Sequence, residues 1–181
     1  MREVCVIDAL TGPEGDTLSG HHWQLVTDRL MGGESGGDLR FDDLDGETCL
    51  HLRGRVSTDS QGGFVQARLD LERDGVPLDA GRFRGLRVRV RGDGQEYVIA
   101  LRTTDCTQAW QSYWTPIRPS AVWQSIELPF TLFRPYRLDM AFDRRRLTKL
   151  GLLAVGIDGE VDFALSRVEF LGAVDRPERL A

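Results

Sequence analysis

Leu86-Arg-Val-Arg-Val-Arg91-Gly-Asp93-Gly94-Gln-Glu96-Tyr97-Val-Ile-Ala-Leu101-Arg102-Thr103 alternates apolar with polar side chains on both sides of an Asp-Gly pair. A period of two belongs to a half-buried strand, and Asp-Gly between two such runs signals a hairpin. The spacing predicts a two-residue turn at Asp93-Gly94 that pairs Val90 with Tyr97, Val88 with Ile99 and Leu86 with Leu101. Six apolar side chains then share one face. The other face carries Arg87, Arg89 and Arg91, with Arg91 opposite Glu96. That arginine row reads as a solvated face or the rim of a concave sheet, or more sharply as a surface for an anion or partner. A slip of one residue would expose the whole apolar set, so the register is well specified.

The same period recurs on either side. Residues 3–8 predict a short first strand, and Thr11-Gly-Pro-Glu-Gly-Asp16 is turn material. Asp38–Phe41 and Thr48–Arg53 alternate around Asp45-Gly46, a second hairpin signal. Gly62-Gly63 opens the strand Phe64–Leu69, where paired glycines suggest a bulge or a close backbone contact. Trp123–Leu128 predicts a strand ended by Pro129, followed by a proline-interrupted loop bearing Phe130, Phe133 and Tyr136. Asp143–Arg146 reads as a solvated charge cluster. Leu150–Val155 and Val161–Phe170, joined through Asp158-Gly159, predict the last strands. No long segment keeps a 3.6-residue period. About eight to ten strands spaced by turn signals make an all-β sandwich or jelly roll. Residues 1–181 read as one domain, with a polar tail at 173–181 that frays.

The totals narrow the function. Hydrophobic residues are 41% and charged ones 28%, wrong for a disordered chain. A net charge of −5 argues against nucleic-acid binding through phosphate neutralisation. Lys149 is the single lysine, and no glycine-rich phosphate loop precedes it. Cys5, Cys49 and Cys106 are odd in number and lack CxxC spacing, which leaves no disulfide framework or zinc ligand set and points to a reducing compartment. His21, His22 and His51 are too scattered to make a convincing metal site. Residues 1–20 resemble neither a transit peptide nor a secretory signal. No stretch approaches the roughly 20 apolar residues of a membrane span. A cytoplasmic location, at most peripheral to the inner membrane, is the expectation. There is no nucleophile elbow, zinc-protease helix or dinucleotide fingerprint. Neither catalytic residues nor a cofactor are expected.

Trp23-Gln-Leu-Val-Thr27-Asp28-Arg29-Leu30-Met31-Gly32-Gly33-Glu34-Ser35-Gly36-Gly37 is the stretch richest in unusual residues. Its structural reading packs Trp23 and Met31 inward and lets the glycines, Gly32 and Gly33 at positive φ, set the path of a long loop. Asp28 then caps the loop or pairs with Arg29. Its binding reading makes Asp28, Arg29 and Ser35 the polar groups that meet a partner.

Several further pieces stand in a fixed order with this loop. They are Thr27-Asp28, Met31-Gly32-Gly33-x-Ser35, Arg53-Gly54-x-Val56-Ser57 and Gly62-Gly63-Phe64. Phe83-x-Gly85-Leu86, Arg89-Val-Arg-Gly-Asp93-Gly94-x-x-Tyr97, Leu101-Arg102-Thr103, Trp123, Leu128-Pro129-Phe130 and Phe133 continue it. The series resembles the complex I intermediate-associated protein 30 family over a core of about residues 20–172. The resemblance implies a galactose-binding-like β-sandwich jelly roll. It also implies a non-catalytic, chaperone-like role in assembling respiratory complex I, with a subunit or assembly intermediate of a membrane complex as partner. Glu34, where an apolar residue is expected, and the absence of a mitochondrial presequence suggest a bacterial-type relative. Related jelly rolls resemble sugar-binding modules, so a carbohydrate or small-ligand module is the alternative. Trp110, Tyr113 and Trp114 would then stack on sugar rings while Arg102 pairs with polar groups.

Overall fold

Alternation of apolar and polar residues translates into two facing antiparallel sheets in the computed structural model, which describes residues 5–59 and 62–173. The strands are β1 (Cys5–Asp8), β2 (Gln24–Thr27), β3 (Gly36–Leu44), β4 (Glu47–Val56), β5 (Phe64–Asp70) and β6 (Phe83–Gly92). They continue with β7 (Tyr97–Thr103), β8 (Ser112–Ile117), β9 (Gln124–Pro129), β10 (Arg134–Tyr136), β11 (Leu147–Val155) and β12 (Gly159–Ala173). The first sheet runs β3-β4-β12-β6-β9, with β1 also paired to β12; the second runs β10-β8-β7-β11-β5-β2. The architecture is the β-sandwich that the sequence predicts, with twelve strands among the described residues against eight to ten expected. The polar tail from residue 174 lies outside the described residues.

The second hairpin forms as read. β3 and β4 pair from Gly36↔Arg55 to Leu44↔Glu47 around Asp45-Gly46. Both turn residues have positive φ, 51° and 79°, the conformation that a tight two-residue hairpin turn requires.

The first predicted hairpin does not form. β6 pairs with β12 and β9 in one sheet, whereas β7 pairs with β11 and β8 in the other. Residues 93–96 are therefore an arch between sheets. The six apolar side chains still point the same way relative to their neighbours, into the core; they face one another across it instead of lying side by side. Alternation alone does not separate these outcomes, since both bury the same residues. The predicted Arg91–Glu96 pair is lost with the hairpin. Arg91 pairs with Asp45, and Glu96 sits 3.3 Å from Arg118. Tyr97 clamps the arch: its buried hydroxyl accepts from the Asp162 N–H at 2.9 Å and lies 3.0 Å from the Asp93 carboxylate.

Between the sheets lies one continuous apolar core, in which Tyr97, Tyr113, Phe163 and Phe170 are the largest fully buried side chains. Burying each such side chain is worth about 1.5–3 kcal/mol. Beyond Pro129 the expected loop contains a short 3-10 turn, Phe130–Leu132, and the three-residue β10. That segment crosses from the first sheet to the second and carries Phe130 and Phe133 into the core.

Candidate functional site

The Trp23–Gly37 stretch leaves the second sheet at β2, passes through a 3-10 turn at Asp28–Met31 and enters the first sheet at β3. Its centre is a buried carboxylate. Asp28 accepts from the Ser35 N–H at 3.0 Å and from the Ser35 hydroxyl at 2.8 Å. The Ser35 hydroxyl in turn accepts from the Ser57 N–H at 3.0 Å. A carboxylate out of water needs such donors. Thr27, not Asp28, caps the turn, its hydroxyl 3.4 Å from the Arg29 N–H. Arg29 donates from Nε to the Ser35 carbonyl at 2.9 Å and is not paired with Asp28.

The glycines close around this pair for two different reasons. Gly32 has φ 82° and ends the turn in the left-handed region. Gly33 does not share that conformation; a Cβ there would fall inside the Asp28 carboxyl group. Gly63, in the strand-opening pair, would strike the Ser57 carbonyl and the Ser35 hydroxyl if it had a side chain. Close backbone contact is thus its reason.

Two readings of the loop change. Trp23 packs partly against the core, its Nε1 donating to Asp8 at 2.8 Å. Met31 points outward, 65% exposed, beside Leu30 at 86%. Asp28 and Ser35, expected to meet a partner, are buried and hold the loop from within. Of the three polar candidates only Arg29 is exposed.

On the outer face of the second sheet the aromatic candidates separate. Tyr113 is fully buried, edge-on to Phe142, so it offers no stacking surface. Trp114 stacks on Tyr136, ring centroids 3.7 Å apart and planes 9° from parallel, and Arg137 lies over Tyr136 in turn. Trp110 is 52% exposed. Arg102 donates to the Cys106 and Gln108 carbonyls at 3.1 and 3.0 Å, propping the loop that carries Trp110. Next to these, Val98, Ala100 and Leu153 are buried in a second small cluster with Phe64, Trp114 and Val155 packed against them. This face is filled largely by its own side chains. The Nε atoms of Arg68 and Arg102 are buried without a hydrogen-bond partner among the described residues.

The first sheet's outer face is a lattice of ion pairs. Arg87 bridges Glu127 and Glu169 at 2.8 and 2.9 Å, and Arg89 donates from Nε to Glu47 at 2.8 Å. The arginine row is therefore matched by carboxylates of its own chain, which removes it as an open anion surface. His51, buried beneath the lattice, sets its two ring nitrogens 3.2 Å from Asp42 and 2.8 Å from Asp162. Burial pushes the neighbouring Cys49 thiol up to about 11, so it stays protonated and unreactive. Among the described residues no group of three or more His, Cys, Asp or Glu is placed to hold a metal ion.

Two antiparallel sheets wound in this order define a jelly-roll β-sandwich of the galactose-binding-like class. The family is shown by sequence: this chain belongs to the complex I intermediate-associated protein 30 family, whose profile matches residues 12–166. No curated protein matches it as a relative. Among solved structures it is similar to the family 11 carbohydrate-binding module of the cellulosomal cellulase Lic26A-Cel5E of Clostridium thermocellum. That match has a TM-score of 0.71 and 16% identity, covering 97% of this chain and 98% of that one. The family 11 module from the same organism in complex with a β-1,3-1,4-mixed-linked tetrasaccharide gives a TM-score of 0.70, at 16% identity over 97% and 99%. The family 30 module of cellulase Cel9D-Cel44B of that organism gives 0.58, at 17% identity over 80% and 92%. At such identities the likeness is one of fold. No helix among the described residues is long and apolar enough to cross a membrane.

Proposed function

We propose that this protein is a non-catalytic, chaperone-like assembly factor for a respiratory membrane complex of the complex I type, acting by binding a protein partner. Family membership supports the process. The observation that carries the mode of action is the display of Leu30 and Met31: two large apolar side chains face solvent on a turn fixed from inside by the Asp28–Ser35 bonds. A rigid support lowers the ordering cost of binding, and exposed Leu and Met beside Arg29 suit a partner protein's apolar pocket. Asp28 and Ser35 are positioning residues in this reading, and Arg29 a contact.

The test is affinity purification from the native cells together with native gels of a deletion strain. Recovery of complex I subunits with wild type, and their loss with Leu30→Ser/Met31→Ser, is the expected result. A deletion strain that assembles complex I normally would overturn it.

The second reading, a carbohydrate or small-ligand module, is favoured by one feature: exposed Trp110 stands on a loop propped by Arg102. A sugar ring would stack on Trp110, with Trp114 contributing only the edge left by Tyr136. A glycan panel that includes mixed-linked β-glucan tests it. Absence of binding at millimolar ligand sinks it.

A further inference from the structure

At the end of the molecule where the chain crosses from β9 to β10, an open pocket of about 450 Å³ lies against the aromatic part of the core. Phe130, Phe133 and Phe142 line it, with Phe142 and Phe133 rings 5.8 Å apart and nearly parallel. Arg134, Arg144 and Arg145 complete the wall with Thr131 and Asp143. The Asp143 carboxylate is already engaged, accepting from the Arg145 N–H and Arg146 Nε at 3.0 Å each. Arg134 donates to the Thr131 carbonyl at 2.6 Å. Arg144 and Arg145 differ: among the described residues their guanidinium groups have neither a hydrogen bond nor an ion pair within 4 Å, although the Arg145 charge acts on the Asp143 carboxylate at longer range. That contrasts with the first sheet, where Arg87, Arg89 and Arg91 each have a carboxylate in a chain of net charge −5.

We infer that this pocket is a docking site for a polypeptide segment that presents an apolar side chain flanked by carboxylates. The partly exposed Phe142 ring, with Phe130 and Phe133 buried behind it, takes the apolar side chain, and the guanidinium groups of Arg144 and Arg145 take the carboxylates in charge-assisted hydrogen bonds. Charge complementarity selects an acidic segment over a basic one. Further apolar side chains are exposed on the segments that line the pocket. Leu132 and Met140 beside it in sequence are half-exposed, and the loop bearing Trp110 is tied on by Gln111 donating to the Arg137 carbonyl at 3.3 Å. A small carboxylate has no use for these side chains; a chain several residues long does. The choice of a polypeptide rests on the assembly-factor reading, while the chemistry of the pocket does not.

The experiment titrates the purified protein with two synthetic peptides, acetyl-Glu-Phe-Asp-Leu-Glu-amide and its counterpart with lysine at the three acidic positions, followed by NMR. The acidic peptide is expected to shift the resonances of Phe133, Phe142, Arg144 and Arg145, and the lysine peptide to leave them unmoved. Arg144→Glu/Arg145→Glu should weaken binding about tenfold or more through lost and reversed charge. Thr131→Trp, at an exposed position, should block the pocket by filling it. No shift at these residues, or equal binding of the lysine peptide, overturns the proposal. Failure of the two readings is distinguishable. If the acidic peptide leaves these residues unmoved while wild type captures complex I subunits, the pocket falls and the assembly role stands. Acidic-peptide binding without any complex I subunit captured leaves the pocket and removes the assembly role.

Discussion

Ser35 shows how much one side chain decides here. It donates to Asp28, accepts from Ser57 and lies against Gly63, so it joins its own loop to the stretch around residues 57–63. Ser35→Ala would remove one donor from a buried carboxylate and orphan the Ser57 N–H, a cost of about 2 kcal/mol or more, read as a lower urea midpoint. The two adjacent glycines should answer alanine differently. Gly32→Ala strains a left-handed residue, worth about 1 kcal/mol, with nothing nearby for its Cβ to meet. Gly33→Ala places an atom inside the Asp28 carboxyl group and should destabilise more, since Asp28 has no room to move without breaking its bonds to Ser35. Equal losses at the two positions would contradict this account. In the sequence the glycines were visible as special, but their reasons were not: φ is local, whereas the collision with Asp28 exists only once the turn is built. Likewise nothing in the spacing marks Ser35 as buried, because its acceptor and donor come from Asp28 and Ser57.

At the level of elements, the Gly92–Tyr97 arch separates what a sequence pattern can and cannot give. Strand faces, the Asp45-Gly46 hairpin and the apolar sets of β6 and β7 were all legible, since each follows from local alternation or turn chemistry. Strand pairing was not. β12, fifteen residues long, lies between β4 and β6 and takes the partner that Asp93-Gly94 suggested for β7. The arch itself is held by polar contacts, with Gly94 donating to the Pro119 carbonyl at 2.9 Å and Gln95 reaching Asp93. Burial pushes the Tyr97 phenol well above its ordinary range, so it stays neutral as a hydrogen-bond partner. Tyr97→Phe should cost about 1–3 kcal/mol because the Asp162 N–H is left unsatisfied, measured by chemical denaturation. An unchanged midpoint would mean that water replaces the hydroxyl and that the arch needs no clamp. The aromatic stretch 108–114 shares the same limit: its composition suits a strand and a recognition loop alike, and the inward turn of Tyr113 and the stacking of Trp114 on Tyr136 follow only from the tertiary partners of β8.

For the molecule as a whole, the two outer faces behave differently. The first sheet carries matched charges, and these make stability depend on acid. Hydrogen bonding from Arg89 holds the Glu47 carboxyl below its ordinary value against opposing burial, and the bond to His51 does the same for Asp42. A depressed folded-state pKa gives stability that is present above the unfolded value and lost as pH falls through the folded one. The melting temperature should therefore fall below about pH 4, near the carboxylate range. Glu47→Gln should melt lower at neutral pH and fall less steeply on acidification. A variant curve parallel to wild type from pH 7 to 3 would rule the pair out as a contributor. The second sheet carries a filled apolar patch, and at the end bearing Phe142 the guanidinium groups of Arg144 and Arg145 have no hydrogen bond or ion pair among the described residues. Composition announced the excess of arginine over lysine, but only three-dimensional neighbours tell which guanidinium groups are spoken for.

Lys149, the single lysine, sits on β11 in the second sheet with its ammonium 2.7 Å from Asp70 and about a fifth of its side chain exposed. For amine-directed cross-linking this makes the protein nearly a one-address molecule. Apart from the α-amino group, any bridge to a captured protein must start from that one sheet. A partner seated on Leu30 and Met31 or in the phenylalanine pocket would have to reach Lys149 to be recorded at all. Mapping the contact therefore calls for reagents that join carboxylates or arginines. Conversely, a lysine installed singly at a loop position becomes an unambiguous ruler, because the native background is a single known point.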